Sequence, residues 1–268
     1  MTNTAIDPLT IIDLTNSKAS GKLVELASHP QLGLRPEWMR ELARDTGRHV
    51  RYYLASNPAI ASRPDIITKL ATDKDWYVRS SLADNPTLAS YPEVVKQLSQ
   101  DPSHHVRSAL AESPATASLP EVVEQLSRDT AYYVRTALAE SPAIAASLKG
   151  GYRLATAEDP PLRRALASNP AIANLPRVVV ELSRDRDLTV RRALAKNPAI
   201  AIDPEAIKKL SKDRSKSVRQ TLAANRAIAN YPEVIKALSS DQNPATPTRT
   251  ASTNSLQVAQ PITQAPTI

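Results

Sequence analysis

The chain has 268 residues, is 41% hydrophobic and carries no cysteine. That composition gives apolar material for an ordinary core and excludes disulfides, zinc–cysteine sites and cysteine-ligated iron–sulfur clusters. The formal net charge of +7 is uneven: residues 1–150 carry 16 Lys/Arg against 17 Asp/Glu, and residues 151–268 carry 18 against 10, an asymmetry that fits either solvated surface or an acidic partner, nucleic acid included.

In chain order, residues 1–28 show neither a basic and apolar leader nor a membrane-spanning run. The expectation is a cytoplasmic protein without membrane association. Ile11, Ile12 and Leu14 in this segment are expected to cap the exposed core of the first repeat.

From residue 29 to 241 the sequence is periodic. Val-Arg or Leu-Arg recurs every 28 residues, at Val50-Arg51, Val78-Arg79, Val106-Arg107, Val134-Arg135, Leu162-Arg163, Val190-Arg191 and Val218-Arg219. An acidic column keeps the same register at Asp45, Asp73, Asp101, Asp129, Asp185, Asp213 and Asp241. A constant period of this length signals stacked supersecondary units. The reading is an all-α α-solenoid of about seven and a half two-helix repeats. Within each repeat the first helix opens near Pro-Glu, as at Pro92-Glu93, where proline costs little because the first N–H groups lack intrahelical partners. Ser90 with Glu93, Ser118 with Glu121 and Asn230 with Glu233 fit capping boxes. The second helix carries Val-Arg-x-x-Leu-Ala and stops at Asn-Pro or Ser-Pro. Each helix is too short to persist alone, so stacking must stabilise it.

The unit at 141–168 departs from the pattern. Leu148 replaces the first-helix proline, Gly150-Gly151 follow, Ala157 replaces the aspartate and Pro160-Pro161 precede the second helix. A weakened first helix is expected there. Residues 242–268, rich in Pro, Thr, Ser and Gln, read as a disordered tail.

The unit Val-Arg-x-x-Leu-Ala-x-Asn-Pro…Pro-Glu-Val-Val-x-x-Leu-Ser-x-Asp resembles the bacterial leucine-rich repeat variant family, whose units are shorter, about 24 residues; the additional residues here fall around Ala-Ile-Ala. The Asp followed by Val-Arg is also similar to the HEAT repeat. The resemblance implies an α-solenoid with an Asp–Arg ladder along the turns. Its members here would be Asp45, Arg51, Asp73, Arg79, Asp101, Arg107, Asp129, Arg135, Asp185, Arg191, Asp213 and Arg219, with Asp101 set against Arg107. Arginine, with donors in a fixed fork, can bridge neighbouring aspartates. Asp159 would substitute where Ala157 interrupts the acidic column. The Asn/Ser column from Asn57 to Asn225 would satisfy backbone groups where the second helix ends.

With Val and Leu turned inward, the most outward positions of the second helix lie three and seven residues after the aspartate. They hold Arg48 and Tyr52, Trp76 and Ser80, His104 and Ser108, Tyr132 and Thr136, then Pro160 and Arg164, Leu188 and Arg192, Lys216 and Gln220. His49, Tyr77, His105 and Tyr133 flank them. Asp84, Glu112 and Glu140 accompany the aromatic half. Outward aromatics offer large contact area at small entropy cost. The expected partner-binding residues are therefore Arg48, Tyr52, Trp76, Tyr77, His104, Tyr132, Tyr133, Arg164, Arg192 and Lys216. The expected function is a non-catalytic protein–protein interaction scaffold with an unidentified protein partner, no cofactor, no metal and no small-molecule substrate. The alternative is weak nucleic-acid binding by Arg163/Arg164, Arg191/Arg192, Lys208/Lys209 and Lys212/Arg214/Lys216. His49, His104 and His105 come with no catalytic motif, and the adjacent His104 and His105 are expected on different faces.

Overall fold

The computed structural model of the chain describes residues 20–241. The expected cap residues Ile11, Ile12 and Leu14 and the expected tail from residue 242 lie outside the described residues. Among the described residues every regular element is helical. A leading helix, α1 (Ser20–Ala27), is followed by first helices α2 (Pro36–Leu42), α4 (Pro64–Ala71), α6 (Pro92–Leu98), α8 (Pro120–Leu126), α10 (Leu148–Ala155), α12 (Pro176–Ser183), α14 (Pro204–Ser211) and α16 (Pro232–Asp241). They alternate with second helices α3 (Arg48–Ser56), α5 (Trp76–Ala83), α7 (His104–Glu112), α9 (Tyr132–Glu140), α11 (Pro160–Ser168), α13 (Leu188–Lys196) and α15 (Lys216–Ala223). The protein is an all-α repeat solenoid. Second helices pack on second helices of adjoining repeats, and α1 packs on α3 in the same way.

Each repeat holds one element more than the two-helix reading allows. The segment after Asn-Pro or Ser-Pro is a short 3-10 helix, as at Pro58–Ser62, Pro86–Ser90 and Pro170–Asn174. Two prolines bound it, Pro58 and Pro64 in one repeat. Each forces the preceding residue out of helical geometry: Asn57 sits at φ −77°, ψ 121°, and Arg63 at φ −126°, ψ 74°. The interval left is too short for an α-helix and suits a 3-10 turn. Its central apolar residue, Ile60, Leu88, Ile172 or Ile200, is fully buried. The 3-10 helices stack on one another as a third layer. The capping boxes expected at Ser90 and Ser118 do not form. Tyr91 and Leu119 occupy the N-cap positions of α6 and α8 without side-chain caps, and Ser118 Oγ instead donates to the Ala115 carbonyl at 3.0 Å.

Two ladders join second helices to adjoining repeats, one near each helix end; the second is interrupted at Ser113 and Ser141, which bond within their own turns. At the N-terminal end, Arg107 Nη1 donates to the carbonyl of Asp101 at 2.6 Å. Its Nε and Nη2 reach the carboxylate of Asp129, one repeat onward, at 2.6 and 2.9 Å. Within the unit, then, Arg107 uses the backbone of Asp101, and its carboxylate partner is in the next unit. Arg51 pairs so with Asp73, Arg79 with Asp101, Arg163 with Asp185 and Arg191 with Asp213. Arg219 Nη1 holds the Asp213 carbonyl at 2.6 Å. Each acid also accepts a backbone N–H two residues on, Gly47 for Asp45 and Ala131 for Asp129. Burial alone would push the Asp129 carboxyl up. The Arg107 guanidinium and the Ala131 N–H overcome it and hold the carboxyl below its ordinary range. The stabilisation is therefore present above the ordinary carboxylate range and is lost as pH falls through the depressed value.

At the other end, Asn85 Nδ2 donates to the carbonyls of Ala55 and Asn57 at 2.7 and 3.3 Å, while its Oδ1 accepts from Thr87 N–H. Asn57, Asn169, Asn197 and Asn225 do the same. Where serine replaces asparagine, Ser113 Oγ accepts from Ala115 N–H at 3.4 Å.

The unit at 141–168 keeps its first helix. α10 is a full α-helix capped by Ser147, whose Oγ accepts from Gly150 N–H at 3.1 Å. The glycines admit neighbours. A Cβ on Gly151 would lie 2.7 Å from Leu175 Cδ1 and 3.2 Å from Val178 Cγ2, whereas one on Gly150 would meet nothing closer than 3.4 Å. The ladder, by contrast, is weakened here. Ala157 supplies only its carbonyl to Arg163, at 2.6 Å, and Asp159 meets Arg135 through a single 3.4 Å contact.

The ladder and the glycine pair each set an expectation for stability. Arg107→Ala leaves the buried Asp129 carboxylate without its guanidinium and should cost about 3 kcal/mol, whereas Arg135→Ala should cost about 1 kcal/mol. Urea denaturation of both variants checks this, and equal losses would contradict the ladder geometry. Gly151→Ala should lower the unfolding midpoint, while Gly150→Ala should hold or raise it through helix propensity; thermal melts of the two variants separate crowding from propensity.

Candidate functional site

On each second helix, residues three, seven and eleven after the ladder acid form one stripe, since i and i+4 share a helix face. In α5 the stripe is Trp76, Ser80 and, at the C-cap, Asp84; in α7 it is His104, Ser108 and Glu112; in α9 it is Tyr132, Thr136 and Glu140. α3 contributes Arg48, Tyr52 and Ser56. Beyond α9 the stripe loses its rings and acids: α11 has Pro160, Arg164 and Ser168, α13 has Leu188, Arg192 and Lys196, and α15 opens on Lys216 and continues with Gln220.

The rings do not stand separately. Tyr52 stacks on Tyr77 at 4.3 Å between centroids and 12° between planes. Tyr77 meets Trp76 edge-on at 5.8 Å. Trp76 stacks on His105 at 4.4 Å, His105 touches His104 at 4.1 Å, and His104 faces Tyr133 at 6.3 Å. Tyr132 and Arg135 extend the row. One chain of rings thus crosses α3, α5, α7 and α9. The two histidines share a surface and turn toward different neighbouring repeats, which corrects the expectation that they occupy different faces. The rings lie partly sideways over the gaps between repeats, yet Trp76 remains 43% exposed and Tyr133 69%. Tyr52, Tyr77 and His104 are half-buried. Burial, together with Tyr77 beside it, pushes the Tyr52 hydroxyl above its ordinary pKa. Tyr53, which the outward-position rule misses, stands edge-on to Tyr52 at 5.2 Å and is also exposed. Exposed Arg48 lies 3.9 Å from Asp75, the N-cap of α5.

Asp84, Glu112 and Glu140 are exposed and have no cation within ion-pair reach among the described residues. They sit at the C-terminal ends of α5, α7 and α9. Acids there oppose the helix dipole, typically by about 0.3–1 kcal/mol each. They also act on each other. Desolvation, then the charges of Asp84 and Glu140, push the Glu112 carboxyl above its ordinary range.

The expected basic residues divide. Arg164 adjoins the aromatic half, lining one shallow cleft with Tyr132, Thr136 and Glu140, while Arg192 and Lys216 lie on later helices, apart from the rings. Arg163 and Arg191, expected to reach phosphates, are buried in the ladder and committed to Asp185 and Asp213. Lys208, Lys209, Lys212 and Arg214 gather with Arg184 and Arg186 along a groove on the ladder side of the last repeats. Arg184 and Arg186 fall outside the columns by which the outward surface is read. Among the described residues no three His, Asp or Glu side chains are placed to hold a metal ion, and no helix is long and apolar enough to cross a membrane.

No family model matches the chain, and no curated protein matches it. Solved structures do. The chain is similar to a leucine-rich repeat variant. That protein, described as having a novel repetitive structural motif, shares 23% identity over 75% of this chain and 81% of its own, with a TM-score of 0.46. An engineered protein matches at 15% identity over 88% of this chain and 95% of its own, with a TM-score of 0.18.

The crowded acids generate a pH-dependent expectation. A carboxyl raised on folding opposes the folded state once ionised, so its penalty grows as pH rises through its range. Glu112→Gln should therefore raise the thermal midpoint at pH 7, and the gain should vanish below about pH 4, where the carboxyl is protonated in both states. Differential scanning calorimetry at the two pH values measures it.

Proposed function

We propose that this protein is a non-catalytic interaction scaffold that binds a protein partner along the outward face of α3, α5, α7 and α9. The observation that carries this reading is the unbroken row of rings from Tyr52 to Tyr132. Large exposed aromatic faces are uncommon on surface that meets only water, and they are the usual anchors of binding energy. Rings pre-stacked on one another lose little freedom when covered. The Asp–Arg ladder, which ties α3, α5 and α7 each to the next repeat, makes that face rigid. Arg164, at the edge of the aromatic half, and Arg192 and Lys216 beyond it would contact acidic parts of the same partner.

The groove with Arg184, Arg186, Lys209, Lys212 and Arg214 favours a second reading, binding of a polyanion such as nucleic acid on the ladder side. The acids of the aromatic face repel a phosphate backbone, so the two activities would occupy different surfaces.

Replacing Trp76, Tyr132 and Tyr133 together by alanine should abolish capture of the protein partner and leave the circular dichroism spectrum unchanged, because these side chains contribute little core packing. Comparative affinity purification with the wild-type and triply substituted chains, read by quantitative mass spectrometry, tests it. A variant that retains every specific partner would sink the scaffold reading on this face. For the second reading, duplex binding should weaken with salt by a log–log slope of about −0.9 per phosphate contact; submicromolar binding at physiological salt would favour it.

A further inference from the structure

The aromatic face presents rings and unpaired acids in the same register, and the combination narrows the chemistry of what covers it. Asp84, Glu112 and Glu140 recur once per repeat, each two helical turns from the ring at the head of its stripe. Acids placed at helix C-termini, beside one another and without cations, violate the local electrostatic rule in three successive repeats. Such conflicts are characteristic of functional surface. The carbonyl ends of α5, α7 and α9 add partial negative charge to the same strip. Arginine and lysine complement all of these features: their heads pair with carboxylates, and their cations and stems lie on aromatic faces.

Spacing sets the form of the partner. Neighbouring packed helices are about 8–10 Å apart. An extended or polyproline chain advances about 3.1–3.4 Å per residue. One repeat therefore corresponds to about three residues of a polyproline II chain, whose three-residue turn returns every third side chain to one side, whereas a β-strand would alternate them. Resting on the scaffold reading above, we infer that the face of α5, α7 and α9 binds a segment of a partner protein in polyproline II conformation carrying Lys or Arg at every third residue. Its cations meet Asp84, Glu112 and Glu140 in turn, and their stems cross Trp76, His104 and Tyr132. A second copy of this chain fits less well. Its basic helices offer Arg164 and Arg192 at the middle of the stripe but Lys216 at its head, so the third cation stands a helical turn out of line with three acids that share one level.

The test uses the full chain and fluorescein-labelled twelve-residue peptides in anisotropy titrations. One peptide repeats Arg-Ser-Ala; a second has the same composition with its arginines in one block; a third replaces arginine by glutamate. The repeating peptide should bind most tightly. Substitution of D84N, E112Q and E140Q together should weaken it about tenfold or more, and Trp76→Ala should weaken it as well. Lys69→Ala, an exposed residue of the first helix α4 outside this face, should leave it unchanged. Equal affinity for the blocked peptide, or indifference to the acid substitutions, overturns the inference. So does concentration-dependent self-association in sedimentation that the acid substitutions abolish, which would make a second copy the occupant. If no peptide binds while a captured partner is still lost on W76A/Y132A/Y133A, this inference fails and the scaffold reading stands. If the alanine variant keeps its partners, both fall.

Discussion

A buried guanidinium has to be matched on every side, and in this chain no repeat can match its own. Arg51 takes a carbonyl from Asp45 in its own unit and a carboxylate from Asp73 in the next. Removing a neighbour would strand a charge whose desolvation is far more costly than any surface ion pair. The asparagine column repeats this logic with neutral groups: Asn197 closes its own 3-10 turn with Oδ1 and reaches back to Ala167 and Asn169 with Nδ2. Second helices of eight or nine residues, unstable in isolation, are thereby tied to other units by the arginine ladder and, where asparagine is present, by the second ladder as well. The apolar columns add the non-directional part, and the ladders fix the register in which those columns stack.

The periodicity made the architecture legible because stacking writes the same demand into every unit. Val50, Val78, Val106 and Val134 are all fully buried because each faces the same environment. What the columns hide is anything that runs between units. Arg107 lies nearer in sequence to Asp101, so pairing by proximity selects the wrong carboxylate. The 3-10 helix escapes an α-helical reading because its few apolar residues, one of them large in most repeats, are confined between two prolines. The ring chain links position three of one repeat to position four of the next, as in Trp76 to His105, and no single column contains that diagonal. Gly150 and Gly151 show the limit of propensity. Read locally they weaken a helix, but Gly151 makes room for Leu175 and Val178 of the following repeat.

The two halves of the outward face differ chemically while sharing one backbone. Repetition supplies equivalent stripe positions, and substitution along a stripe leaves the core unchanged: Trp76 and Lys216 stand at equivalent positions, each two residues before a fully buried valine, Val78 and Val218. A scaffold of this kind separates what specifies the fold from what specifies recognition. That separation is why the fold can be read from the sequence while the partner must be argued from charge and ring geometry.

The gap in the ladder at residue 157 reaches beyond static stability. In a linear array each unit communicates with distant ones only through the interfaces between them, so cooperativity is set by the weakest coupling. Arg135 and Asp159 share one long contact where other interfaces have a bidentate pair. The Asp–Arg ladder is therefore weakest between α9 and α11, at the border of the aromatic and basic halves, where Asn169 still bridges to Ala139 and Ser141. Opening there would release amide protons on either side as two separate blocks, a signature that hydrogen exchange resolves. The chain would then act as two stiff plates on a hinge, free to adjust the angle at which one surface meets a partner relative to the other.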